Sequence, residues 1–123
     1  MQLNQDQGSG TYHIRAYEPG KITVNSKQLS HSLLIAPERL LEHWAPTSLT
    51  ELTMEHLDEV LEFQPQIIIL GTGTRLVFPP PKLQAHILQK KIGLEIMDTR
   101  AACRTYSLLM AEQRNVVAAL LIK

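Results

Sequence analysis

A chain of 123 residues suits one domain, and an apolar fraction of 44% lets its core form without disulfide or metal staples. The lone cysteine, Cys103, excludes an internal disulfide and fits a reducing compartment. Twelve basic residues balance twelve acidic ones, so the electrostatic footprint of a nucleic-acid binder is missing, as is a basic amphipathic helix for a membrane surface.

The first ten residues, Met1 to Gly10, are polar and read as a flexible tail ahead of a single α/β domain over residues 11–123. They carry neither the apolar core of a signal peptide nor the arginines of a transit peptide, and no apolar run reaches membrane-spanning length. The expectation is a cytoplasmic protein of bacterial type, without membrane insertion.

Tyr12 to Tyr17 alternates loosely as a strand does, and Glu18-Pro19-Gly20-Lys21 fits a type II turn. Ile22-Thr23-Val24 returns as a β-branched strand, Asn25-Ser26-Lys27 turns again, and Ser32 to Ile35 follows. The first third therefore reads as an antiparallel meander closed by Pro37. Glu38 to Thr53 shows no clear period. In it Trp44 is either a core plug or an exposed anchor. Thr53 is placed to cap a helix whose apolar face is Met54, Leu57, Val60 and Leu61, with Pro65 as its stop.

Gln66 to Leu70 is an apolar strand that ends in Gly71-Thr72-Gly73-Thr74-Arg75. Pro81 opens a second helix, with Leu83, Ile87 and Leu88 facing inward and Gly93 ending it. Leu94 to Met97 is a short strand. Asp98 caps a third helix to about Ala111, and Val116 to Ile122 is a continuous apolar strand with the signature of burial on both faces. Helix and strand alternate from Thr53 onward, so crossover helices join parallel strands. The fold class is α/β: a single three-layer domain with a mixed central sheet and an N-terminal antiparallel β-meander.

Parallel strands at Gln66–Leu70 and Leu94–Met97 would bring the glycine loop and the Asp98 turn to one carboxyl edge, where open α/β sheets hold ligands. The candidate recognition residues there are Gly71, Thr72, Gly73, Thr74, Arg75, Asp98, Thr99, Arg100, Cys103 and Arg104. Hydroxyls and guanidinium groups suit a small anion or carboxylate. Against a nucleotide site, Leu76 stands where a dinucleotide fingerprint needs its third glycine, and Pro79-Pro80-Pro81 removes N–H donors that would hold a phosphate. Two alternatives remain: an anion site, or a structural turn whose glycines meet backbone demands. Cys103 is either a thiol activated by Arg100 and Arg104 or part of a core stripe with Tyr106 and Met110, and the stripe is the simpler reading. The five histidines are scattered without metal-ligand spacing, and no nucleophile elbow appears. No metal, cofactor or catalytic residue is expected.

Taken together, Leu70-Gly71-Thr72-Gly73, Phe78-Pro79-Pro80, Glu95 through Tyr106 and Val117 through Ile122 resemble a family long labelled as a domain of unknown function. That family includes the mitochondrial respiratory complex I assembly factor 3 and many small bacterial proteins. The resemblance covers the chain from about Tyr12. It implies a compact α/β fold of the Mth type, no established enzymatic activity and, for the mitochondrial member, assembly of complex I through binding other assembly factors and early subunits. The functional expectation is a non-catalytic protein-binding module. The alternative is a small-anion or metabolite binder, or an unrecognised enzyme, at the glycine-loop edge.

Overall fold

The computed structural model describes residues 11–123, so the stretch read as a tail lies outside the described residues. Strands β1 (Ile14–Glu18), β2 (Lys21–Val24) and β3 (Lys27–Leu29) form an antiparallel sheet in the order β1-β2-β3. Gly20 turns the first hairpin at φ +85, and Asn25 turns the second at φ 53.

The larger sheet contains β4 (Leu33–Ala36), β5 (Arg39–Leu41), β6 (Ile67–Gly71), β7 (Gly93–Met97) and β8 (Val116–Leu120), in the order β5-β4-β8-β6-β7. β6 runs parallel to both β7 and β8, whereas β4 is antiparallel to β8 and to β5. The sheet is therefore mixed, with its parallel half built by helical crossovers: α1 (Met54–Leu61), α2 (Pro81–Leu88) and α3 (Thr99–Ala111).

β8 shows why this sheet must be covered on both sides. Val116, Ala118 and Leu120 pack on one face with Ile22 and Val24 of the meander and Cys103 and Tyr106 of α3. Val117, Ala119 and Leu121 pack on the other with Trp44, Val60 of α1 and Ile87 of α2. Full burial of each large aliphatic side chain contributes about 1.5–3 kcal/mol, so a continuous apolar strand is stable only between two covering layers. The three layers are the meander with α3, the five-stranded sheet, and α1 with α2.

The structure differs from the sequence reading in four places. Leu33–Ile35 leaves the meander and joins the central sheet, because Leu33 to Ala36 are buried in succession and alternation is lost. Pro37 does not close the strand region but turns β4 into β5, inside the stretch that showed no period. Gly93 starts β7; α2 is terminated instead by Lys91, in the left-handed region at φ 61. Leu88 is 54% exposed, so only Leu83 and Ile87 of that face are buried. Trp44 is a core plug, 2% exposed, with its Nε1–H donating to the His56 carbonyl at 3.3 Å.

Candidate functional site

Parallel pairing from Ile67↔Gly93 to Gly71↔Met97 carries the glycine loop and the Asp98 turn to the same end of the sheet. They are joined there by backbone hydrogen bonds. The Thr72 N–H donates to the Met97 carbonyl at 2.9 Å, and the Thr99 N–H donates to the Gly73 carbonyl at 2.8 Å. The Asp98 carboxylate accepts from the Ala101 N–H at 2.8 Å and so caps α3.

The ten residues of this edge divide by exposure. Gly71, Thr72, Gly73, Thr99 and Cys103 are buried. Gly71 faces Thr99 Oγ1, Ala102 and Leu120 so closely that an added Cβ would lie 2.9 Å from the hydroxyl. At Gly73, φ is +101 and an added Cβ would collide with the Lys123 carbonyl. The Thr99 hydroxyl is fully buried and engaged twice, accepting from the Gly73 N–H and donating to the Leu121 carbonyl, each at 2.8 Å. These five groups build the edge from within.

Thr74, Arg75, Arg100 and Arg104 are exposed and face solvent, while Asp98 is partly buried. Arg100 lies over the Tyr17 ring, 5.1 Å from its centroid. Burial pushes the Cys103 thiol up to about 12, and the opposing pull of Arg100 and Arg104 is weaker than desolvation. The thiol is held protonated, which agrees with the core stripe. Tyr106 on the same helix is also raised by burial, and its hydroxyl donates to the Tyr12 carbonyl at 2.8 Å.

The feature that the sequence reading missed is the segment after Arg75. Leu76, Val77 and Phe78 are 52%, 43% and 63% exposed, three consecutive large apolar residues in water. The loop that carries them is braced. The Thr72 hydroxyl donates to the Arg75 carbonyl at 2.6 Å and accepts from the Val77 N–H at 3.2 Å. The Gln84 side-chain amide donates to the Pro79 carbonyl at 2.9 Å, and Pro79 is buried. The signal was present in the sequence: an apolar triplet followed by three prolines cannot continue a strand into the core.

Among the described residues, no three His, Cys, Asp or Glu side chains converge as metal ligands would. The rings of His31 and His43 meet in a tilted arrangement, with centroids 4.1 Å apart and planes inclined by 51°.

Residues 14–121 match the model of a family described as "Protein of unknown function (DUF498/DUF598)". The chain belongs to that family. Among curated members, a Francisella tularensis protein named "13 kDa major membrane protein" is 28% identical over 117 residues, which is 94% of this chain and 95% of the relative. The Danio rerio "NADH dehydrogenase [ubiquinone] 1 alpha subcomplex assembly factor 3" is 27% identical over 123 residues, covering 98% of this chain and 70% of the relative. A Xanthomonas campestris protein solved by NMR is 41% identical with TM-score 0.85, over 99% of this chain and 92% of its own. A Bordetella pertussis protein described as a Mth938-like domain is 30% identical with TM-score 0.81, over 99% of this chain and 92% of its own. These neighbours share the α/β fold of the Mth type that the resemblance implies. No helix among the described residues is long and apolar enough to cross a membrane.

Proposed function

We propose that this protein is a non-catalytic protein-binding module of the assembly-factor type, with residues 11–123 acting as one α/β unit in the cytoplasm. One observation carries the reading: a braced loop holds Leu76, Val77 and Phe78 out in water. Exposed apolar side chains on a fixed backbone lose little entropy when a partner covers them, and buried aromatic anchors supply much of the energy of protein interfaces. The family relatives named as complex I assembly factors support the same role, and a membrane or respiratory complex is the class of target they suggest.

The binding face comprises Thr74, Arg75, Arg100 and Arg104 beside the apolar triplet, while Gly71, Thr72, Gly73, Asp98, Thr99 and Cys103 hold it in shape. The protonated, buried Cys103 and the doubly engaged Thr99 hydroxyl favour this division over a nucleophile or a general acid. Affinity capture from cells of the source organism at low salt tests the reading. A reproducible protein partner is expected, and recovery of none over repeated captures would count against it.

A further inference from the structure

Next to the braced loop, the outer edge of β1 and one side of α3 enclose an open trough of about 330 Å³. Arg15 and Tyr17 lie on the strand wall, Arg100, Arg104 and Ser107 on the helix wall, and Cys103 at the base. A smaller hollow between Tyr17, Arg100, Gly73 and Thr74 continues the trough to the loop. Among the described residues β1 is the terminal strand of its sheet, and its outer edge pairs with no other strand. The pairing of β1 with β2 skips at Arg15, between Ile14 and Ala16, as a β-bulge does.

The charge of this trough is unbalanced in a chain whose net charge is zero. Among the described residues it is lined by three arginines and by no carboxylate. Among the described residues the ion pairs are Lys27–Glu42, His86–Asp58 and Arg114–Glu112, and none involves Arg15, Arg100 or Arg104. Asp98 borders the smaller hollow and is engaged in capping α3. Guanidinium groups without acidic partners call for carboxylate or phosphate oxygens from outside.

Geometry distinguishes the occupants. Arg100 and Arg104 are one helical turn apart, which sets their Cβ atoms about 5–6 Å from each other on one face of α3. Alternate residues of an extended peptide are about 6.6 Å apart on one side. From Arg100 to Ser107, α3 rises about 10 Å, the length of about three extended residues. We propose that the trough binds an extended acidic segment of a partner protein, with carboxylates at alternate positions facing Arg100 and Arg104 and a further contact to Arg15. This rests on the protein-binding reading above and gives that partner a chemistry.

The test is an NMR titration of the labelled full chain with a blocked eight-residue peptide of alternating glutamate and valine. The same peptide with glutamine for glutamate, and inorganic phosphate, are run in parallel. Amides of residues 14–17 and 100–107 are expected to shift with the glutamate peptide and not with the glutamine one. Affinity should fall at least tenfold in Arg15→Glu and in Arg104→Glu, variants at exposed positions whose folding is checked by their unshifted remaining amides. Raising ionic strength from about 0.01 M to about 0.15 M should weaken binding further. Equal binding of the two peptides, or shifts confined to other surfaces, would overturn the proposal. Saturation of these amides by phosphate with no effect of the glutamate peptide would overturn it too, in favour of a small-anion site. Partner capture without peptide binding sinks the trough alone; peptide binding without partner capture sinks only the broader reading.

Discussion

Gly73 and Thr99 are tied to each other twice. The Gly73 N–H donates to the Thr99 hydroxyl and the Thr99 N–H donates to the Gly73 carbonyl, both at 2.8 Å. Because the same hydroxyl also donates to the Leu121 carbonyl, one buried side chain links the loop after β6, the start of α3 and the stretch after β8. Thr99→Val keeps the shape and leaves a buried donor and a buried acceptor unsatisfied. Urea denaturation should show a loss of about 2–4 kcal/mol, whereas Thr99→Ser should stay within about 1 kcal/mol of the wild type.

Two glycines with positive φ should respond differently to alanine. Gly20, at φ +85, has nothing within 4 Å of an added Cβ, so Gly20→Ala should lose only about 1–2 kcal/mol from the backbone. Gly73, at φ +101, would drive its Cβ into the Lys123 carbonyl, and Gly73→Ala should cost at least about 2 kcal/mol more than Gly20→Ala. Thermal or chemical unfolding of the two variants side by side measures the difference.

Much of this was legible in the sequence, and the reasons are local. Asp98 before a helical pattern, Pro81 at a first turn and an unbroken apolar run from Val116 each specify their element with little help from the rest of the chain. What was not legible depends on neighbours. Leu33–Ala36 looks like one more hairpin strand until β8 is placed beside it. Lys91 shows no sign that it will accept a left-handed turn, a role the sequence offers to Gly93. The meeting of loop and Asp98 turn followed from parallel pairing alone. Which of those residues face outward did not, because Thr72 and Thr99 look like ligand hydroxyls until their partners at Arg75 and Leu121 are known.

The buried thiol gives the protein an alkaline liability. Cys103 is raised by burial from an ordinary value of 9.0 to about 12, and Tyr106 is raised from 10.0 by the same cause. An unfolded chain releases these protons first, so it binds fewer protons than the folded chain between the two pKa values. The Cys103 contribution is intact below pH 9.0 and is lost as pH rises toward 12. In denaturation series across this range, Cys103→Ala should flatten the decline and leave the part owed to Tyr106 and to Tyr17, which burial also raises. At neutral pH, iodoacetamide should label Cys103 more slowly than free cysteine; equal or faster labelling would place the thiol outside the core.

The brace on the apolar loop separates order from burial. Thr72→Val removes the hydroxyl that holds the Arg75 carbonyl and the Val77 N–H, so amide exchange at residues 75–78 should accelerate. Phe78→Ser leaves the brace intact at a position 63% exposed, and its stability should lie within about 0.5 kcal/mol of the wild type. A larger loss would mean that Phe78 belongs to the core.

That neutrality makes Phe78→Ser the sharpest probe of binding. Quantitative affinity capture from the source cells, with wild type and Phe78→Ser as paired baits at matched concentration, asks whether the apolar triplet touches a partner. A protein retained by the wild type and reduced at least tenfold on Phe78→Ser is the expected result. Equal retention of the same proteins by both baits would contradict a binding role for the loop.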